Sequence, residues 1–226
     1  MPETRSENTL VLVTALIVIG ALGIAIAMLW PSAPVERPTD TETTAIEHSS
    51  GQGGSPLRGL KQLGEVPDFK LTEIDGRPIS KETLLGKVWV VDFIFTRCGG
   101  TCPEMTELMG ILQERTKDLD DLQLVSVSVD PKFDTVEALT EYAREHGADR
   151  QKWWFLKGDK ESLVNLAHHG LKLGSADNPM NHSPKFVLID AKGGIRGYYE
   201  GAGPYRAGNV EELEADLRSL LKQGGS

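Results

Sequence analysis

Apolar residues fall into two regimes along this chain, one long unbroken run and then a series of short runs spaced by polar segments. Leu10 to Trp30 contains no charged side chain and matches the ~20 residues a helix needs to cross a hydrocarbon core. The pattern predicts a transmembrane anchor over 10–30 behind a short tail over 1–9. The run is longer than the ~7–15 apolar residues of a signal peptide, and no clear small-x-small cleavage site follows it. Residues 31–57 are rich in Pro, Ser, Thr, Glu and Gly with no apolar period, which predicts a flexible tether.

From residue 58 onward the pattern switches between strand and helix periods. An Asp75-Gly76 step between Phe69–Ile74 and Arg77–Ile79 predicts a hairpin. Strands are predicted at Lys87–Phe95, Leu122–Val129, Trp153–Leu156, Lys185–Ile189 and Ile195–Tyr199, the last two joined by a turn at Asp190–Gly194. Helices are predicted at Pro103–Arg115, Val136–Glu145, Glu161–His169 and Val210–Leu221, with Asp134 or Thr135 capping the second. The order predicts an α/β domain over 58–226 with a thioredoxin-like fold, a central mixed sheet flanked by helices. Trp153-Trp154-Phe155 is expected in its core, and His168 and His169 are expected to be structural, beside the last carbonyls of their helix.

Composition adds limits. The 226 residues, 39% of them hydrophobic, suffice for one globular domain plus the anchor. The formal charge of −9 divides into −4 over 1–57 and −5 over 58–226, which argues against nucleic-acid binding. Arg5 and Arg37 are the only basic residues near the apolar run, so charge does not set its orientation. Dithiol chemistry suits a domain on the outer, periplasmic side of a bacterial inner membrane.

Only two cysteines occur, Cys98 and Cys102, placed where a buried strand meets a helix. A helix N-terminus offers unpaired N–H groups and partial positive charge, which favour thiolate. Three residues separate the thiols, so on a first helical turn both can face one ion. The pair is a candidate soft-metal ligand set and a candidate redox couple. An inert staple is the bland reading, and so short a loop would gain little from it.

The run Phe93-Ile94-Phe95-Thr96-Arg97-Cys98-Gly99-Gly100-Thr101-Cys102-Pro103, followed by Ser128-Val129-Asp130-Pro131-Lys132-Phe133-Asp134-Thr135 and Asn181-His182-Ser183, resembles the Sco/SenC family. The resemblance covers roughly Val66 to Tyr199 and implies a membrane-tethered, thioredoxin-fold copper chaperone of cytochrome c oxidase assembly. It implies Cys98, Cys102 and His182 as copper ligands. Implied partners are the copper-site subunit of the oxidase, other periplasmic copper chaperones and thioredoxin-like reductases. Two thiolates and an imidazole suit Cu(I), and imidazole also accepts Cu(II). Three protein ligands fall short of a structural zinc site, although a catalytic zinc with water in fourth position stays open.

The family commonly has Pro between its cysteines and Asp before its histidine, where this chain has Gly99-Gly100 and Asn181. The Ser183-Pro184-Lys185 junction resembles that of thiol–disulfide oxidoreductases and predicts a cis Ser183–Pro184 bond. A thiol–disulfide reductase acting through Cys98 and Cys102 is therefore the alternative function. A peroxidase is disfavoured, because Thr96 lies two residues before Cys98 where the peroxiredoxin pattern has its threonine three before.

Overall fold

The computed structural model describes residues 60–178 and 180–224, so the predicted anchor and tether lie outside the described residues. Among the described residues no helix is long and apolar enough to cross a membrane. The strands are β1 (Gly64–Glu65), β2 (Lys70–Glu73), β3 (Pro78–Ser80), β4 (Val88–Ile94), β5 (Leu122–Ser128), β6 (Trp153–Lys157), β7 (Lys185–Ile189) and β8 (Gly194–Glu200). The helices are α1 (Lys81–Leu84), α2 (Cys102–Arg115), α3 (Val136–Glu145), α4 (Lys160–Val164) and α5 (Arg206–Gly224).

All eight strands form one sheet in the order β1-β8-β7-β4-β5-β6-β2-β3. The pairs β4–β5 and β5–β6 are parallel and the remaining pairs antiparallel, so the sheet is mixed as expected. The Asp75-Gly76 hairpin forms, with Gly76 at φ +93°, a conformation that costs a glycine little. Strand β4 is buried along its whole length, which is why its sequence is a continuous apolar run rather than an alternating one.

Side-chain alternation along β4 divides the core in two. Val88, Val90 and Ile94 join Met105, Met109 and Leu112 of α2, Leu139 of α3 and Leu213 and Leu217 of α5 on one face. Trp89, Val91 and Phe93 join Leu84 of α1, Leu163 of α4 and the hairpin's Leu71 and Ile79 on the other. Trp153 and Trp154 go to opposite faces, and both are buried as expected.

One helix departs from expectation. The segment predicted as Glu161–His169 is α-helical only to Val164 and continues as a π-helix over Asn165–Gly170. The Ala167 carbonyl is diverted to accept from Leu173 N at 2.8 Å and Gly174 N at 3.3 Å, while Leu171 N reaches back five residues to Leu166 O at 2.8 Å. His168 Nδ1 is 2.7 Å from the Gly174 carbonyl, which lies beyond its own helix.

The α3 cap is resolved in favour of Thr135, whose hydroxyl accepts from Ala138 N at 3.2 Å. Thr135→Ala is expected to lower stability by about 1 kcal/mol in urea denaturation. A change indistinguishable from zero would show that the cap contributes nothing.

Candidate metal centre

Strand register gathers the site at one edge of the sheet. Ile94 of β4 is opposite Ser128 of parallel β5, so the loops that follow these strands emerge side by side. Strand β7 runs antiparallel to β4, so the loop before Lys185, which carries His182, opens on the same edge. The ends of strands near a parallel pair are where α/β sheets commonly place ligand sites.

Cys98 is partly exposed in the loop after β4, and its N–H donates to the Phe95 carbonyl at 3.1 Å. Cys102 is buried as the first residue of α2. Both are free thiols. Burial pushes the Cys98 thiol up. Donation from the Cys102 thiol and from the backbone N–H groups of Cys102, Gly100 and Thr101 outweighs it, so the net shift is downward. Burial, reinforced by its bond to Cys98, pushes the Cys102 thiol up to about 12. The helix start therefore favours one thiolate, that of Cys98.

His182 sits against Phe93 of β4, with ring centroids 6.0 Å apart. Its Nδ1–H donates to the Ser183 carbonyl at 3.3 Å, which leaves the lone pair on Nε2. Burial holds its pKa below the ordinary histidine value, with the Ser183 carbonyl opposing, so the imidazole is neutral. A bridge between His182 and Gly174 closes the loop into a small hairpin, and Gly174 is the residue His168 touches. The two thiols are thus together and His182 stands at the same sheet edge. No three His, Cys, Asp or Glu side chains among the described residues are close enough to hold one ion.

The expected cis Ser183–Pro184 bond is not present: the bond is trans. Pro184 occupies the centre of a tight turn in which Lys185 N donates to Ser183 O at 2.9 Å, and its own carbonyl accepts from Gly201 N at 2.7 Å. A proline φ suits such a turn.

The sequence matches the family model described as SCO1/SenC over residues 59–222. This chain belongs to the SCO1/SenC family. It is 33% identical over 165 residues to the SCO1 protein homolog of Bacillus subtilis, covering 69% of this chain and 82% of that protein. A Stutzerimonas stutzeri protein named for copper binding is 32% identical over 143 residues, covering 59% of this chain and 68% of the other. Among solved structures, BsSco, described as having a disulfide switch and as a member of the Sco family of cytochrome c oxidase assembly proteins, superimposes with a TM-score of 0.60. It is 29% identical, and the match covers 70% of this chain and 96% of that one.

In this SCO1/SenC chain the two acids of the Asp-Pro-x-x-Asp segment face the cysteine loop. Asp130 Oδ2 accepts from Arg97 Nη2 at 3.0 Å, and the Arg97 guanidinium lies 3.5 Å from the centroid of the Phe133 ring. Asp134 is fully buried and bonds to Thr96.

Sequence reading overlooked Asp92, the lone acid inside the apolar run of β4. Its Oδ1 accepts from Ser126 Oγ at 2.6 Å, Ser126 also accepts from Trp153 Nε1 at 2.9 Å, and Oδ2 has no hydrogen-bond partner. Burial pushes its carboxyl up to about 7. Its charge adds a smaller upward push on Cys102 and on Tyr142, whose hydroxyl is 2.6 Å from Thr106 Oγ1. A charged residue in a strand that is otherwise apolar was the available sign.

Proposed function

We propose that this domain binds copper through Cys98, Cys102 and His182 and delivers it to the copper-site subunit of a membrane cytochrome c oxidase. The observation that carries this reading is the donor set at one sheet edge: two free thiols at the start of α2, and a neutral imidazole with Nε2 free. Such donors suit Cu(I), and deprotonation on binding would release protons to solvent. Family membership supports an oxidase target, because BsSco is described as belonging to a family of oxidase assembly proteins. The apolar run over 10–30 would anchor the chain as a single span of the bacterial inner membrane, with the tether over 31–57 letting the periplasmic domain reach its acceptor. Other periplasmic copper chaperones would load the site, and thioredoxin-like reductases would keep the pair reduced, since a disulfide cannot chelate.

The test is an anaerobic titration of the reduced full chain with Cu(I) against a competing chelator. One copper per chain is expected, with His182→Ala weakening it at least about tenfold and Cys98→Ala abolishing it. A wild-type chain that holds no copper in this titration refutes the reading.

The opposite shifts of the two thiols favour a second reading, a thiol–disulfide oxidoreductase. The Cys98 thiolate would attack a target disulfide, forming a mixed disulfide and expelling one target thiolate. Cys102 would then attack Cys98 Sγ, releasing the second target thiol and leaving a Cys98–Cys102 disulfide. Exchange that survives His182→Ala unchanged, in a chain without copper affinity, would select this function. The trans Pro184 bond removes one resemblance to such enzymes.

A further inference from the structure

Asp134 has a task that helix capping does not account for. Its side chain is fully buried, and its carboxylate accepts from Thr96 of the cysteine loop and from Ser128 at the end of β5. Oδ1 accepts from Thr96 Oγ1 at 2.6 Å and Thr96 N at 3.2 Å, Thr96 N is also 3.3 Å from Oδ2, and Oδ2 accepts from Ser128 Oγ at 2.6 Å. Ser128 Oγ in turn accepts from Asp130 N at 3.2 Å, and Lys157 Nζ donates to the Asp134 carbonyl at 3.0 Å. One carboxylate therefore joins the last residue of β5 to the residue two positions before Cys98.

The geometry around Cys98 makes this restraint consequential. On its C-terminal side come Gly99 and Gly100, both exposed, and a Cβ on Gly99 would meet nothing within 4 Å. Glycine at both positions leaves the backbone between the thiols free to change conformation, although a Cβ on Gly100 would lie 3.8 Å from the Cys98 sulfur. Cys102 is fixed by α2 and buried. The backbone of Cys98 is held from its N-terminal side, through the turn that Cys98 N closes on Phe95 O and through Thr96 within it. Burying a carboxylate is costly, and short charge-assisted bonds to a hydroxyl and a backbone N–H offset that cost while holding Thr96 in both side chain and backbone.

We propose that Asp134 is a positioning residue for the dithiol: by clamping Thr96 it holds Cys98 within reach of Cys102 and so raises the effective concentration of one thiol at the other. The consequence for copper rests on the metal-handling reading above. The consequence for disulfide formation does not.

The experiment equilibrates the full chain, and its Asp134→Asn, Thr96→Val and Thr96→Ser variants, with glutathione. The reaction measured is Cys98–Cys102 disulfide plus two glutathione thiols going to the dithiol plus oxidised glutathione. Asp134→Asn and Thr96→Val are expected to shift the equilibrium about tenfold toward the dithiol, about 30 mV, while Thr96→Ser, which keeps the hydroxyl, stays at the wild-type value. An unchanged equilibrium in Thr96→Val overturns the proposal, as does a loss of thermal stability without any redox shift. Should Asp134→Asn not fold, the Thr96 pair decides alone. A wild-type chain that holds no copper, together with shifted variants, would leave Asp134 as the positioning residue and remove the copper reading.

Discussion

Asp92→Asn is expected to flatten the pH dependence of stability between about pH 4 and pH 7. The Asp92 carboxyl is pushed by burial from its ordinary value of 3.8 up to about 7, with the bond from Ser126 opposing. In that interval the folded chain keeps a proton that the unfolded chain has released, so stability falls as pH rises. The fall begins near the unfolded value and is complete above the folded one. A displacement of about three pH units corresponds to about 4 kcal/mol, a large share of the ~5–15 kcal/mol that holds a domain together. Asparagine keeps the shape and the acceptor for Ser126 Oγ but cannot ionise. Urea denaturation of both chains from pH 4 to pH 8 should show a slope in the wild type that the variant lacks, and a variant more stable at pH 8. Parallel curves would mean that Asp92 is ionised in the folded chain throughout this interval and would overturn the prediction.

Iodoacetamide should modify Cys98 at least about 100-fold faster than Cys102 in the reduced full chain at pH 7. With its thiol pushed up to about 12, Cys102 would be ionised in only about one molecule in 10⁵. A more basic thiolate is a better nucleophile, which returns about one and a half of the three powers of ten lost and leaves Cys102 about 30-fold slower than an ordinary thiol. Cys98 is displaced the other way, and it is the more exposed sulfur. Peptide mass mapping after short exposures from pH 6 to pH 9 would rank the two. Equal labelling, or Cys102 first, would remove the assignment of Cys98 as the attacking sulfur in the oxidoreductase reading.

Much of the fold was legible from local pattern. The helix Val136–Glu145 and the strand Lys185–Ile189 fall on their predicted residues, because a polar cap and a glycine-bounded turn mark their ends. Strand β1 was missed because two residues, Gly64–Glu65, carry no period of their own and are defined by pairing with β8. The π-helix was missed for a related reason. Leu163, Leu166 and Ala167 keep helical spacing, and only the Leu173 and Gly174 amides, arriving from the His182 loop, draw the Ala167 carbonyl out of register. The trans Pro184 bond has no local sign, because an X–Pro step is compatible with either isomer.

The chain on its own determined the kinds of group available and their order: two thiols after an apolar strand, an Asp-Pro-x-x-Asp segment after the next, and a histidine before the antiparallel return. That order follows from short-range periodicity and residue chemistry, which need no knowledge of the fold. Tertiary structure alone decided which groups share a surface and in what ionisation state. Parallel register between β4 and β5 set Asp134 under Thr96, and two identical thiols were split because burial raises Cys102 while donated hydrogen bonds outweigh burial at Cys98. The physical reason is that proximity across a sheet and removal from water are properties of the packed chain, and neither is carried by any local stretch of it.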